Sequence, residues 1–501
     1  MGYSVAELVF PAFRFWENDT AYALELAELG AGGFCLYGGT PAKIRELVAA
    51  VRRVSPEVMF CADYEDGAGR WVSSCAELPS NMAIAASGDA ELAYRKGWHT
   101  ALAARALGVD CVLAPVADLA VRADNPIVNT RAFSAEPGKT ALFCAEFLRG
   151  LNAGGVPGCV KHFPGHGDTG TDSHLGLPVI EKELAAFMAS DAAPFAALAR
   201  TADAVMPGHL LVRALDADNP ASFSAAAIDG LLRGEMGFSG CVITDALSMK
   251  AVSDETQAAL KALAAGADIL LVPQEPVRLI KALNKALKEG GIPLGVMARA
   301  MRSLAGLRRR KKELQAAAPG LSGAQVSAAR EFNAETARRC CAFAGPAEFE
   351  PLKSGDTLRV FETSPRKPPF FAGSQDPLAD ERGDSVFVKT LKWFGVNAVA
   401  HDAPCRERSP FCAVSFSRPR AYAGSINLSG RDIVIINNAA AGAERFFMVS
   451  FGSPFVFGSA TRTPDCGICA FCAIDEYQAF CARVLLGMEK PAGSFEYTKK
   501  P

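Results

Sequence analysis

Short apolar runs alternate with amphipathic stretches from the start of the chain to about residue 275. The apolar runs lie at 8–13, 33–37, 58–63, 111–118, 159–162, 204–209, 241–245 and 267–272. Helical periodicity marks 20–29, 41–53, 89–107, 138–153, 181–200, 225–235, 254–265 and 276–289. Strand-length apolar runs that alternate with helices indicate parallel β-strands joined by helical crossovers. Eight such units over roughly 300 residues predict a (β/α)8 barrel of the TIM type.

The pattern changes beyond the last of these units. Residues 319–345 are predicted to be a linker followed by a helix over Ser322–Cys341. Strand-like runs at 358–361, 433–436 and 446–451 then alternate with loops rich in proline, arginine and serine. The predicted organisation is therefore an α/β barrel over 1–318, the linker and helix over 319–345, and a smaller α/β domain over 346–501.

Charged and imidazole side chains end five of the predicted barrel strands. They are Asp63, Asp118, Lys161 with His162, His209, and Asp245. The carboxyl ends of the strands of a barrel open onto one face, where active sites are built. A single polar residue there is usually the start of a loop, but five strands with the same feature predict a chemical pocket.

The segment 161–174, KHFPGHGDTGTDSH, holds three of the six histidines of the chain. Its glycines and proline predict a loop. His174 stands two residues from Asp172, and a carboxylate partner fixes the tautomer of an imidazole and raises its proton affinity. Such a pair can act as general acid and then as base near neutral pH. An Asp-x-His pair taken alone fits a surface loop equally well.

Asp245 ends an apolar strand, where a carboxylate could be a nucleophile toward an anomeric carbon, a metal ligand or a substrate anchor. One carboxylate together with an independent acid–base group is what retaining glycoside hydrolysis requires. The remaining groups suit a polyhydroxylated ligand. Asp63 can accept hydrogen bonds from hydroxyls, and Lys161, Arg70 and Arg131 can donate them.

A metal site is the alternative interpretation of the loop. His162, His166 and His174, with Asp168 or Asp172, would offer enough ligands for a zinc or dimetal hydrolase. However, their spacing lacks the helical i, i+4 arrangement of zinc proteases. Lys161 beside the site would also repel a cation, so we expect no metal.

Composition excludes several classes of partner. The net charge is −2 and only 21% of the 501 residues are charged, so no global field favours nucleic acid or an anionic membrane. The basic run at 308–312 is predicted to be a solvated helix end. No apolar stretch reaches 18 residues, so no membrane span is expected, and the N-terminal segment does not have the pattern of a secretory signal.

Most of the fifteen cysteines stand singly in apolar runs, which is typical of buried free thiols and predicts a cytoplasmic location. Cys466-x2-Cys469-x2-Cys472 resembles the start of an iron–sulfur ligand run, but the next cysteine, Cys481, is too distant for the usual continuation. Residues 468–473 are also typical of a buried strand, which we favour.

Residues 161–178, KHFPGHGDTGTDSHLGLP, resemble the signature of glycoside hydrolase family 3, and in particular its bacterial β-N-acetylhexosaminidase branch. The resemblance extends to 60–70, 114–119, 129–133 and 242–249, and to 450–454 and 479–493 in the second domain. It therefore covers most of the chain.

The resemblance implies an exo-acting retaining β-N-acetylglucosaminidase without metal or cofactor. Asp245 would be the nucleophile, and His174, oriented by Asp172, the general acid/base. The predicted substrate-binding set is Asp63, Arg70, Asp118, Arg131, Lys161, His162 and His209. His166 and Asp168 would shape the loop. The expected partner is a small carbohydrate such as a muropeptide fragment; the sequence does not predict an oligomeric state.

Three segments depart from the family pattern, namely 66–69, 134–137 and 206–209. All three are predicted to face the sugar, so the preference for N-acetylglucosamine is less firmly implied than the reaction. A phosphorylase, a β-glucosidase or β-xylosidase, and a catalytically silent sugar-binding module remain alternatives at this point. A histidine acid/base would admit a phosphate anion that a carboxylate repels.

Overall fold

A computed structural model describes residues 4–170, 176–249, 254–363, 383–402, 408–419 and 426–495. Its strands are β1 (Val9–Phe10), β2 (Ala12–Arg14), β3 (Gly33–Tyr37), β4 (Met59–Ala62), β5 (Cys111–Val112), β6 (Cys159–Phe163), β7 (Val179–Ile180), β8 (Ala204–Pro207), β9 (Leu211–Val212), β10 (Cys241–Val242), β11 (Leu270–Leu271), β12 (Ala342–Phe343), β13 (Thr357–Glu362), β14 (Asn397–Ala400), β15 (Phe411–Ser415), β16 (Phe446–Ser450) and β17 (Cys466–Cys469).

The α-helices are α1 (Thr20–Glu28), α2 (Pro41–Val54), α3 (Asn81–Ala86), α4 (Glu91–Leu107), α5 (Pro137–Ala153), α6 (Leu184–Ala189), α7 (Ala193–Leu198), α8 (Glu255–Ala265), α9 (Pro276–Lys288), α10 (Leu294–Ala317), α11 (Gly323–Ser327), α12 (Ala329–Cys340), α13 (Val386–Trp393), α14 (Gly430–Gly442) and α15 (Asp475–Leu485). A π-helix covers Ala226–Glu235. Short 3-10 helices cover Val5–Leu8, Ala68–Arg70, Asn129–Arg131, Ala221–Phe223 and Pro454–Ser459.

The chain divides by its packing into two compact units. The first contains residues 1–77, 93–122 and 132–327, and the second contains 78–92, 123–131 and 328–501. Two segments of the N-terminal part, 78–92 and 123–131, thus pack with the second unit. Whether domains bounded at 318 and 345 fold independently stays a prediction.

The first unit contains a closed parallel barrel. Strands β2, β3, β4 and β5 pair in that order, and β6, β8 and β10 form a second parallel series. Single bridges join β5 to the start of β6 and the end of β10 to the start of β11, and β11 pairs with β1. The ring has eight members because β1 and β2 are one strand interrupted at Pro11. The predicted (β/α)8 barrel is confirmed.

Pro11 explains the interruption of the first strand. Proline has no backbone N–H and cannot donate within a sheet. The segment before it pairs with β11, and the segment after it pairs with β3. The Pro11 carbonyl still accepts a hydrogen bond from Cys35 N at 2.8 Å. Apart from Arg14 at the end of β2, the residues of the barrel strands are buried, which is why the strands were recognisable as continuous apolar runs.

The predicted barrel helices are present, with two differences. The stretch predicted as one helix over 181–200 is divided into α6 and α7 around 190–192, with Pro194 in the first turn of α7, where a missing N–H costs nothing. The stretch at 225–235 has π-helical hydrogen bonding. Neither change displaces the strand that follows.

The basic run at 308–312 is a solvated surface only in part, because Arg309 and Lys312 are more than half exposed. It lies within α10, and four of its side chains reach acids that precede barrel strands. The pairs are Arg308–Glu7 (3.0 Å), Arg310–Asp203 (2.8 Å), Lys311–Asp110 (3.2 Å) and Lys312–Glu57 (2.9 Å). Since the strands are parallel, these acids mark one end of the barrel, and α10 is fixed across it.

The second unit contains a six-stranded sheet in the order β12-β17-β16-β15-β13-β14, parallel except for β12. The strands predicted at 358–361 and 446–451 are confirmed as β13 and β16. The strand predicted at 433–436 is wrong, because these residues belong to α14. Ser429 caps that helix by accepting a hydrogen bond from Asp432 N, which outweighs the preference of Ile433 and its neighbours for strands.

The cysteine run is buried, but the strand predicted over 468–473 is only partly present, because β17 ends at Cys469 and 470–473 follow it as a bend. Cys466 and Cys469 lie in β17 and are fully buried. Residues three apart on a strand point to opposite faces, so this pair cannot ligate one cluster. The helix predicted over Ser322–Cys341 is present as α11 and α12. In the part of the chain that the structure describes, we found no helix with the length and hydropathy needed to cross a membrane.

Candidate active site

Every polar residue predicted at a strand end lies at the same end of the barrel. Asp63 follows β4 directly, Lys161 and His162 lie in β6, and Asp245 follows shortly after β10. The acids bound by α10 mark the opposite end. The barrel mouth, defined here as the carboxyl ends of the strands, therefore collects the candidate side chains.

Lys161 is held between two carboxylates at this mouth. Its Nζ lies 2.6 Å from Asp63 Oδ1 and 2.6 Å from Glu65 Oε1, and its side chain is only 3% exposed. A buried ammonium needs such compensation because its desolvation is costly. Glu65 was not among the residues predicted from the sequence, although the motif Asp63-Tyr64-Glu65 at a strand end could have indicated it. The arrangement fixes a cation and an anion side by side, so that the hydroxyl groups of a bound molecule could both accept and donate hydrogen bonds there.

Asp118 organises the start of the loop that follows β6. Its carboxylate lies 2.6 Å from His162 Nδ1 and accepts hydrogen bonds from the backbone N–H groups of His162 and His166. Burial tends to raise the pKa of Asp118, but the charge and hydrogen bond of His162 and the donors of His166 lower it overall. Because Asp118 is fully buried, the geometry favours positioning of His162 over contact with a substrate.

His166 is buried under the same loop, where its Nδ1 lies 2.7 Å from Thr169 Oγ1. Burial is the main cause that lowers the pKa of His166 to about 4, against the opposing charge of Asp118. The ring is therefore neutral at neutral pH. The neighbouring Gly167 is required, because a Cβ there would lie 2.2 Å from Leu119 O. These contacts fit the predicted shaping role of His166.

Asp168, the other predicted loop-shaping residue, is tied to the barrel by charge. Its carboxylate lies 2.9 Å from Lys182 Nζ, and Lys182 also binds the buried Asp191 at 2.6 Å. The described part of the loop is thus anchored before it reaches the predicted proton-transfer pair. Asp172 and His174 themselves lie outside the described residues.

Asp245 is fixed through the residue that follows it. Its Oδ1 accepts the N–H of Ala246 at 2.8 Å, and the Ala246 carbonyl lies 3.1 Å from His209 Nε2. His209 Nδ1 lies 2.6 Å from Ser222 Oγ. His209 is fully buried with both ring nitrogens beside protein atoms, so its geometry favours positioning of Asp245 over contact with a substrate. Ser222, which was not predicted from the sequence, supports that ring.

The two arginines of the predicted set are in different units. Arg70 is half-buried in the 3-10 helix that follows β4 in the first unit. Arg131 belongs to the second unit, where its Nη1 donates to Ile127 O at 3.0 Å and its carbonyl accepts from Asn81 Nδ2. The contacts predicted between these two side chains and a sugar stay predictions.

No group of three or more His, Cys, Asp or Glu side chains within the described ranges has the arrangement of a metal site. Among the ligands considered for the alternative metal site, the His162 ring and the backbone N–H of His166 contact the Asp118 carboxylate. His174 and Asp172 lie outside these ranges.

A parallel barrel with acids, a lysine and histidines at its mouth defines an enzyme of the (β/α)8 class. The model of the glycosyl hydrolase family 3 N terminal domain matches residues 4–307 of this chain. The chain belongs to glycosyl hydrolase family 3.

Similar proteins agree with this membership. A β-hexosaminidase of Pseudomonas aeruginosa is 40% identical over 237 residues, which are 46% of this chain and 71% of that protein. A β-hexosaminidase of Methylococcus capsulatus is 34% identical over 280 residues, 53% of this chain and 83% of that protein. The structure of a family 3 β-N-acetylglucosaminidase from Paenibacillus sp. FPU-7 superposes with a TM-score of 0.82 and 28% identity, covering 98% of this chain and 97% of that one.

Proposed function

We propose that this enzyme is a retaining exo-β-N-acetylglucosaminidase that acts through a covalent glycosyl intermediate on Asp245. The observation that carries the proposal is the similarity over nearly the whole chain to a β-N-acetylglucosaminidase of the same family. The β-hexosaminidase relatives, at 34–40% identity, support the same activity. The substrate is a carbohydrate, and its terminal residue is β-linked N-acetylglucosamine.

In the first step, a carboxylate oxygen of Asp245 attacks the anomeric carbon of the terminal sugar. The bond from that carbon to the aglycone oxygen breaks, and His174 gives this oxygen a proton. Asp172 stabilises the imidazolium form that carries the proton. The hydrogen bond from Ala246 N to Asp245 Oδ1 limits rotation of the carboxylate and so keeps it oriented toward the anomeric carbon.

In the second step, His174 takes a proton from water, and the hydroxide formed attacks the anomeric carbon. The ester bond to Asp245 breaks, which releases the sugar with its original β configuration. Imidazole, with a reference pKa of about 6.5, can serve both steps near neutrality.

Asp63, Lys161, His162 and Arg70 of the first unit would hold the terminal sugar. Lys161 donates while Asp63 accepts, so hydroxyls at neighbouring ring carbons can be held by one fixed pair. Asp118 and His209 would act indirectly, through His162 and through Asp245 respectively.

Asp245→Asn tests the assignment of the nucleophile. We expect kcat on p-nitrophenyl β-N-acetylglucosaminide to fall about a thousandfold or more, because an amide cannot form the ester intermediate. Asp384→Asn is a matched control, since Asp384 is exposed and pairs with Lys392. NMR should show the β-anomer as the first product of the wild type. Undiminished turnover by Asp245→Asn, or an α-anomer, would contradict the mechanism.

A panel of aryl β-glycosides, each assayed with and without phosphate, separates hydrolysis from the alternatives. We expect turnover of the 2-acetamido substrate, free sugar as the product and no sugar 1-phosphate. A phosphorylase would form the phosphate ester, and a β-glucosidase or β-xylosidase would prefer glycosides without the acetamido group.

We infer that the enzyme works in a reducing compartment, most simply the cytoplasm, where fragments from peptidoglycan recycling would be its substrates. Each of the fourteen cysteines among the described residues is a free thiol, and all of them except Cys75 are buried. Even Cys341 and Cys481, with sulfurs 4.0 Å apart, are not joined. Cell fractionation followed by immunodetection tests the location, and a periplasmic or secreted pool would contradict it.

A further inference from the structure

Backbone contacts hold the segment of the proposed nucleophile against β11 as it approaches the barrel mouth. Up to Thr244 the pairing is that of a regular parallel ladder, because Val242 O accepts Ile269 N at 3.0 Å and Thr244 N donates to Ile269 O at 2.9 Å. Toward β8, Asp245 N lies 3.4 Å from Pro207 O, which is a long hydrogen bond. The position of Asp245 therefore depends on how its neighbours meet β11.

At Thr244 a side-chain hydroxyl takes the place of a backbone carbonyl. Since Thr244 N is bonded to Ile269 O, a regular ladder would next bring Leu271 N to the Thr244 carbonyl. Leu271 N donates to Thr244 Oγ1 instead, at 3.0 Å. Thr244 is fully buried, so its hydroxyl is part of the interior hydrogen bonding of the barrel. The regular ladder is thereby interrupted one residue before Asp245.

The interruption is accompanied by one extra residue on the strand of Asp245. In a regular ladder the next backbone N–H to reach Leu271 O would be that of Ala246. Leu247 N makes this hydrogen bond instead, at 2.9 Å, so three positions on the strand of Asp245 oppose two on the side of β11. An insertion of this kind is a β-bulge, which bends a strand and changes the direction of a side chain beside an active site. Asp245 and Ala246 therefore stand outside the ladder at the barrel mouth.

The insertion makes the backbone of Ala246 available to the nucleophile. Ala246 N donates to Asp245 Oδ1 at 2.8 Å, and its carbonyl lies 3.1 Å from His209 Nε2. In a regular ladder the same N–H would be bound to Leu271 O and could not hold the carboxylate. The hydrogen bond to the nucleophile therefore depends on the position of Thr244 Oγ1 in the ladder.

Val272 fixes the end of β11 on the far side of the insertion. Its φ is +49°, in the left-handed region that a β-branched residue rarely adopts. Val272 N donates to Phe10 O at 2.8 Å, and its carbonyl accepts Ser248 N at 3.1 Å. A strained backbone conformation persists only where the surrounding contacts determine it. The end of β11 is thus held between β1 and the segment that follows Asp245.

We propose that Thr244 is a positioning residue for the nucleophile. Its hydroxyl replaces its carbonyl as the acceptor of Leu271 N, and the resulting one-residue insertion lets Ala246 N hold the Asp245 carboxylate. This inference rests on the proposed function, because it needs Asp245 to be the group that attacks the anomeric carbon.

The test compares two variants that separate the hydroxyl of Thr244 from its shape. Thr244→Val keeps the shape and removes the hydroxyl, and Thr244→Ser keeps the hydroxyl. For Thr244→Val, we expect kcat on p-nitrophenyl β-N-acetylglucosaminide to fall about tenfold or more with KM changed less than about twofold, because a displaced nucleophile slows attack but not binding. Thr244→Ser should restore most of kcat. Thr100→Val is the matched control, since Thr100 is fully buried and its hydroxyl donates to Lys96 O at 2.9 Å within α4. It should leave kcat unchanged.

A crystal structure of Thr244→Val separates a failure of this inference from a failure of the proposed function. It should show Leu271 N bonded to the carbonyl of residue 244 and Ala246 N bonded to Leu271 O. If the ladder changes in this way but Asp245→Asn keeps its turnover, the proposed function fails and the role of Thr244 in placing Asp245 stands. An unchanged ladder, an unchanged kcat in Thr244→Val, or equal losses in Thr244→Val and Thr244→Ser would overturn the inference. Thr244→Ala, which also lacks the hydroxyl, replaces Thr244→Val if that variant does not fold.

Discussion

At the scale of single residues, buried side chains position the predicted functional residues of the site. Glu65 shares Lys161 with Asp63, Asp118 holds His162, and His209 steadies the residue after Asp245. The sequence showed which residues end the strands but not which of them touch one another. Glu65 and Ser222 were missed for this reason, since their importance lies only in the partner they reach.

Glu65→Gln tests the positioning of Lys161. The amide leaves Lys161 with one carboxylate instead of two, so the ammonium is held less firmly beside Asp63. We expect kcat/KM on the aryl glycoside to fall about tenfold, mostly through KM, because the loss affects sugar binding. Glu289→Gln, in an exposed pair with Lys285 at 3.9 Å, should have no effect. A pure loss of kcat in Glu65→Gln would contradict a role in binding.

We expect the buried His166 to make the folded protein less stable at acidic pH. Its pKa is lowered from 6.5 to about 4 in the folded protein, so the unfolded chain binds the proton more readily. Stability is therefore lost as pH falls from about 6.5 to 4, by up to about 3 kcal/mol from this group. Denaturant titrations at several pH values should show a shallower loss for His166→Gln than for wild type over this range.

Asp118 also stabilises the folded protein, but over a lower pH range than His166. Because the pKa of Asp118 is lowered in the folded protein, its contribution to stability is lost only at still lower pH. His401→Gln, at a half-buried position in the second unit, is the control for simple removal of an imidazole. An unchanged slope in His166→Gln would show that another group controls the acid limit.

At the scale of elements, the barrel was predictable because its strands are buried on both faces and its helices have one apolar face. The failures have local physical causes. The run Ile433-Val434-Ile435-Ile436 is rich in strand-forming residues, but the Ser429 cap and the segment that follows it produce α14. The basic run of α10 looked like a solvated surface, because acids that bind it stand as many as 301 positions away in sequence. Long-range pairing leaves no local pattern to detect.

Two adjacent lysines of α10 test whether burial or distance determines the strength of these ion pairs. Lys312 is closer to its partner, at 2.9 Å, but both side chains of that pair are more than half exposed. Lys311 lies 3.2 Å from Asp110, whose side chain is 2% exposed. We expect Lys311→Met to cost about 1–3 kcal/mol and Lys312→Met less than about 0.5 kcal/mol, measured from the urea midpoint of activity loss. The reverse order would show that distance dominates.

At the scale of the whole molecule, the two compact units are interleaved along the chain. Helix α3, in the segment 78–92, packs against α12 within the second unit. Met82 and Ile84 of α3 are buried there, Asp89 pairs with Arg339 at 2.5 Å, and Ala86 O accepts from Ser494 N. The barrel strands all precede residue 272, yet a segment between them depends on residues after 328.

This interleaving predicts that the barrel cannot be isolated simply by truncation after Ser327. Fragment 1–327 keeps every barrel strand but exposes the buried side of α3, which favours aggregation. We expect the fragment to be largely insoluble or to melt at least several degrees below the full chain, with activity restored in part by co-expression of 328–501. Circular dichroism and sedimentation velocity measure both properties. A monomeric fragment with the stability and activity of the full chain would show that α3 finds equivalent packing within the fragment, and that residues 328–501 are dispensable for folding.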